Sequence, residues 1–163
     1  LVADQAHRQL LLHLFIIPLF RPFGCSFFVR DCLNERCQAT FDVASIEFGE
    51  NSFWVFQDIG YEIKCKLNNP VNELEDRLVH EGWNCSPFPE AMVKEILSDT
   101  AFRREMYQLN NSTKSYWLYL DVDALRHGKK DDRMSAFQYR TPHYLVALYI
   151  PEDNVLYYLE CSI

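Results

Sequence analysis

Glycine is scarce in this chain: there are five in 163 residues. None falls in the glycine-rich patterns that cradle phosphates, and there is no Gly-x-Ser-x-Gly elbow to expose a serine nucleophile. Basic residues are outnumbered, with 16 Lys and Arg against 23 Asp and Glu, for a net charge of −7. A surface of that sign repels phosphate backbones, which argues against nucleic acid as a partner. The one basic cluster, Arg126 to Lys130, runs straight into Asp131 and Asp132 and reads as a solvated loop. No low-complexity segment or internal repeat is evident. No apolar run approaches the roughly 20 residues needed to cross a bilayer as a helix.

Metal-binding patterns fail as well. No histidine lies close enough to a cysteine pair for a zinc site. Asp121, Asp123, His127, Asp131 and Asp132 form the densest polar group, but a calcium loop starting at Asp121 breaks at Leu125 and Arg126. Neither a metal nor a cofactor is expected.

Aromatic residues are plentiful, with twelve Phe and nine Tyr, which suits a β-rich core. The most apolar stretch is Leu10 to Phe20, LLLHLFIIPLF, preceded by Arg8 and followed by Gly24-Cys25-Ser26. It is too short to span a membrane and has the length of a secretory signal core. Pro18 counts against one long buried helix there. Residues 1–25 are therefore expected to be a signal or lipoprotein leader, with Cys25 the lipidation candidate, and residues 26–163 one globular domain. That implies a periplasmic or envelope address, with the membrane touched only through a lipid anchor. If the run is instead part of the folded body, the address is cytoplasmic.

Six cysteines fit an exported, stapled domain. Cys32 with Cys37, and Cys65 with Cys85 across one predicted helix, are the disulfide candidates. The competing reading is a set of buried thiols.

Along the chain, residues 39–48, 53–57 and 61–67 read as three strands of a meander, with an irregularity near Ser45 and Ile46. Asp58-Ile59-Gly60 reads as a turn. Asn69-Pro70 opens a helix whose stripe is Val71, Leu74, Leu78 and Val79, and Gly82 ends it. Further helical patterns carry Met92, Val93 and Ile96, then Phe102, Met106 and Leu109, the latter capped by Ser98 or Asp99. Lys114 to Leu120 is a strand. His143 to Ile150 and Val155 to Ser162, separated by Pro151-Glu152-Asp153-Asn154, form a hairpin with apolar residues on both faces. The expected fold is α+β: a single antiparallel β-sheet of about five to six strands, with the C-terminal hairpin central and two to three helices packed on one face.

Two kinds of function follow from these patterns. The first is a non-catalytic protein-binding module, inhibitor-like or immunity-like. Its contacts would be Trp83 and Phe88 in the Gly82–Phe88 loop and the acidic Asp121 and Asp123. The second is a small thiol hydrolase. A turn at residues 151–154 pairs Cys161 near residue 144, which brings a thiol close to His143. A cytoplasmic regulatory or structural domain with reduced cysteines is the remaining alternative.

Overall fold

The computed structural model describes residues 33–37, 39–48, 53–55, 58–96, 100–122 and 143–162. Its centre is one antiparallel sheet of seven strands. β1 is Val43–Phe48, β2 Phe53–Val55, β3 Asp58–Leu67, β4 Asn84–Cys85, β5 Tyr116–Asp121, β6 His143–Ile150 and β7 Val155–Ser162. Their order is β1-β3-β7-β6-β5-β4, with β2 beside β1 along the same edge of β3. Among the described residues four helical segments of a turn or more accompany the sheet: α1 at residues 33–37, α2 Val71–His80, α3 Glu90–Ile96 and α4 Ala101–Ser112.

The hairpin β6–β7 forms as its sequence suggests, in register from His143 opposite Ser162 to Ile150 opposite Val155. It is central, with β3 on one side and β5 on the other. All eight residues of β6 are buried, a pattern expected only of a strand covered on both faces. The helices accordingly divide between the two faces rather than gathering on one. On the first face Leu33 of α1 and Leu74 and Leu78 of α2 pack with Ile63, Cys65, Leu118, Leu145, Ala147, Tyr149 and Tyr158. On the second face Met92 of α3 and Met106 of α4 pack with Trp117, Tyr119, Val146, Leu148, Tyr157 and Leu159. At roughly 1.5–3 kcal/mol for each fully buried large apolar side chain, both layers contribute heavily to stability.

The ends of the elements follow local chemistry. α2 stops in a Schellman turn: Gly82 adopts φ 80°, its N–H donates to Val79 O at 3.1 Å, and Trp83 N–H donates to Leu78 O at 2.9 Å. Its start differs from expectation. Pro70, not Asn69, is the residue preceding the helix. Asn69 instead bridges to the segment before β1, accepting from Asp42 N–H at 2.7 Å and donating to Thr40 O at 3.3 Å. α4 is capped by Thr100, whose hydroxyl accepts from Arg103 N–H at 3.1 Å. Asp58–Gly60, read as a turn, is the first part of β3 and pairs with β2. The irregularity in β1 is a register shift between Val43 and Ser45, a kink of the kind that blunts an edge strand.

Two polar knots, one buried at Asn110 and one half-buried at Asn154, lock the loops. Asn110 of α4 accepts from Phe88 N–H and donates to Ser115 Oγ at 3.0 Å, which ties the 86–88 loop to α4 and to the residue before β5. Asn154 closes the hairpin turn. It sits at φ 52°, accepts from Tyr149 OH at 2.9 Å and donates to both Leu67 O and Asn69 O at 3.0 Å.

Candidate functional site

Buried charge gathers at one end of this sheet. Among the described residues, three of the five buried polar or charged ones lie in the first half of β3 (Glu62), at the start of β6 (His143) and near the finish of β7 (Glu160). Burying charge is costly unless it is paired, so such a concentration marks the place to look for function.

On the first face Glu160 is the hub. One carboxylate oxygen meets His143 Nε2 at 2.8 Å and the Arg36 guanidinium at 3.0 Å, and the other accepts from Tyr158 OH. Alternation along the strands explains the grouping. Tyr158 and Glu160 are two apart on β7, and Glu160 lies opposite Leu145, two residues beyond His143 on β6. Arg36 reaches in from α1. His143 is 5% exposed and Glu160 4%, so the imidazole and carboxylate that tie α1 to the hairpin are shielded from solvent, with the Arg36 side chain partly exposed at the rim.

On the second face Glu62 is held at the start of α4. Its carboxylate accepts from Thr100 Oγ1 at 3.0 Å and Arg103 Nε at 3.3 Å. A carboxylate at a helix N-terminus is stabilised by the free amides and the helix dipole. Tyr144 lies nearby, its ring stacked on Tyr119 with centroids 6.1 Å apart. Burial pushes the Tyr144 phenol up, opposed by the Arg103 charge and assisted by the Cys161 thiol opposite it.

The expected thiol–imidazole pair does not form. Cys161 stands directly opposite Tyr144, as the turn length implies. His143 is one residue earlier, and one residue reverses the face. Cys161 therefore packs at the margin of the second cluster, while His143 sits on the first face with Glu160. The sheet separates them.

The loop contacts are also corrected. Trp83 and Phe88 are each 5% exposed. Trp83 packs edge-on against Phe41, and Phe88 tilts against Trp117. Gly82 and the prolines do mark a change of chain direction, but the side chains turn inward to the two cores. Asp121 is half-buried at the end of β5, and Asp123 lies outside the described residues.

Cys65 and Cys85 are free thiols. Their strands, β3 and β4, are four positions apart in the sheet, roughly 19 Å at the usual spacing of about 4.8 Å. A disulfide needs Cα atoms within about 7 Å. Burial pushes the Cys65 thiol up to about 12, so it is an inert core residue. Cys37 is buried in the first cluster. Cys32, Cys25 and the Leu10–Phe20 run lie outside the described residues. Among the described residues no helix is long and apolar enough to cross a membrane, and no three His, Cys, Asp or Glu side chains converge as metal ligands.

A surface the sequence reading passed over is the outward side of α2. Asn72, Glu73, Asp76, Val79 and His80 are exposed there, and Val79 is the most exposed large apolar residue described, at 54%. The other charges of α2 turn aside: Arg77 donates to Thr40 O at 3.2 Å, and Glu75 takes Lys114 at 2.6 Å. Glu73 and Asp76 have no ion-pair partner among the described residues. Val79 was assigned to the buried stripe. It follows Leu78, and one residue is a 100° rotation on a helix.

Compared with known protein families, with curated proteins and with solved structures, the chain matches none of them.

Proposed function

We propose that the chain is a non-catalytic protein-binding module that holds an electropositive partner surface against the outward side of α2. The observation that carries this reading is the exposed Val79 with Asp76 and Glu73 on the same side of the helix, their carboxylates without an ion-pair partner among the described residues. An apolar contact beside like charges suits a partner of opposite charge, since such complementarity steers encounter and selects against wrong partners. The overall charge of −7 has the same sign. The separation of Cys161 from His143 removes the geometry on which the hydrolase alternative rested.

The test is affinity capture from the source cells with the wild-type protein and Asp76→Lys. A specific partner should be retained by the wild type, released by salt, and lost with the variant. Identical retention by both would refute the surface.

An envelope address, with a cleaved leader or a lipid on Cys25, is part of the same proposal. It rests on Leu10–Phe20, since free Cys65 and Cys85 take away one supporting staple and Cys32 of the other lies outside the described residues. The N-terminal sequence of the natural mature protein tests it. A chain starting at or near residue 25 supports export, and a chain retaining Leu10–Phe20 contradicts it.

A further inference from the structure

We propose that Asn111 is the acceptor of an N-linked glycan whose first sugar packs on the ring of Tyr107. The inference takes from the proposed function only that the chain is exported. It adds a covalent modification on the side of the sheet opposite α2.

The motif comes first. An N-glycan acceptor reads Asn-x-Ser or Asn-x-Thr, with x not proline. The chain holds three: Asn84-Cys85-Ser86, Asn110-Asn111-Ser112 and Asn111-Ser112-Thr113. The sugar replaces a hydrogen of the side-chain amide and is bulky and polar, so the folded protein must carry that nitrogen at its surface. Burial decides between the three. Asn110 is 1% exposed; its Nδ2 donates to Ser115 Oγ and its Oδ1 accepts from Phe88 N–H. A sugar there would break both bonds inside the protein. Asn84 is half-buried in β4, directly opposite the buried Trp117. Asn111 is exposed in the last turn of α4, and the backbone becomes extended at Thr113, with φ −131° and ψ 156°.

The second observation is Tyr107. With Val79 it is one of two exposed large apolar side chains among the described residues, and it lies four positions before Asn111 on α4. Residues four apart share a helix face, and helical side chains lean toward the N-terminus. A group carried by Asn111 therefore extends over Tyr107. The C–H face of a pyranose laid on that ring removes apolar surface from water. Because α4 packs on the second face and α2 on the first, the glycan leaves the Val79 surface open.

The transfer uses a lipid-linked oligosaccharide on the far side of the membrane. The Asn111 amide nitrogen attacks the anomeric carbon, and a C–N bond forms. The bond from that carbon to the pyrophosphate oxygen breaks. The lipid pyrophosphate leaves with the electron pair, and the nitrogen gives up a proton. Nothing is oxidised or reduced. The acceptor is the emerging chain, before the Ser112 and Thr113 hydroxyls donate to Gln108 O and Leu109 O.

The experiment expresses the full chain in cultured eukaryotic cells twice, once with its own N-terminus and once behind a proven signal peptide. Peptide N-glycosidase in heavy-oxygen water converts each glycosylated Asn to a labelled Asp, which peptide mass spectrometry locates. Asn111 should be labelled, and Asn84 and Asn110 should not. Asn111→Gln and Thr113→Ala should each abolish the sugar, although Asn111→Gln leaves the Asn110 motif intact. The glycoprotein should unfold at a higher urea concentration than Asn111→Gln, and that difference should vanish when both carry Tyr107→Ser. A sugar behind the proven signal and none with the native N-terminus would sink export and leave the Asn111 acceptor standing. Secreted, folded protein without sugar on Asn111 behind the proven signal would overturn the acceptor. A urea difference that survives Tyr107→Ser would overturn the packing on the ring.

Discussion

Cys161 and His143 are one register step apart on neighbouring strands and project to opposite faces of the sheet. That single step decides the chemistry of this end of the molecule. It gives His143 to Glu160 as a buried structural partner and leaves Cys161 to Tyr144.

If the Glu160 network is structural, cutting its hub is costly. Glu160→Ala removes the carboxylate that His143, Tyr158 and Arg36 share and should destabilise the fold by about 3 kcal/mol, in the range for breaking a buried ion pair. His143→Ala leaves two of the three partners in place and should cost less. Urea unfolding midpoints of the two variants check the order.

Asn154 combines a left-handed backbone with three side-chain hydrogen bonds. Asn154→Gly keeps the conformation and loses the bonds, at about 1–3 kcal/mol. Asn154→Ala loses both and should cost about 1 kcal/mol more. Equal unfolding midpoints for the two variants would show that the backbone conformation carries no cost.

The Cys65 thiol is raised from 9.0 to about 12 by burial. Below pH 9 the thiol is neutral folded or unfolded, and its contribution to stability is fully present. As pH rises from 9 to about 12, the unfolded chain releases a proton that the folded one retains, so stability falls. The decline begins with this thiol. Tyr149 and Tyr157, raised from 10.0 to about 12 by burial, join from pH 10 with the same sign. Stability measured against pH should drop above pH 9, and Cys65→Ala should delay the onset.

Much of the architecture was legible in the sequence because it depends on local rules. Pro151 to Asn154 between two apolar runs marks a hairpin, and apolar residues at every position of Tyr144–Ile150 mark a central strand. The helix carrying Leu74 and Leu78 follows from their spacing, and its end from Gly82. What was missed depends on parity and direction. A turn length places Cys161 near residue 144, but the face changes with a shift of one. Gly82 and Pro87 show where the backbone bends; they do not show that Trp83 and Phe88 turn inward. The both-sided apolar pattern of the hairpin already required cover on two faces, and only the division of the helices between them needed the structure. The spacing of Cys65 and Cys85 across one helix suggested a staple, but strand order, which sets their distance, is not a local property.

Non-reducing peptide mapping of the native protein should recover Cys65 and Cys85 as unlinked thiols. A peptide joining them would contradict the strand order β3-β7-β6-β5-β4, since no small adjustment closes four strand spacings.

The most direct measurement is the affinity of a captured partner for three proteins: the wild type, Asp76→Lys on α2 and Tyr107→Ser on α4. Tyr107 is the control because it is exposed, at 39%, on a helix covering the other face. The account predicts that Asp76→Lys weakens binding at least tenfold, about 1.4 kcal/mol, that added salt weakens the wild-type complex, and that Tyr107→Ser leaves it unchanged. Full affinity in Asp76→Lys, with loss in Tyr107→Ser, would contradict it.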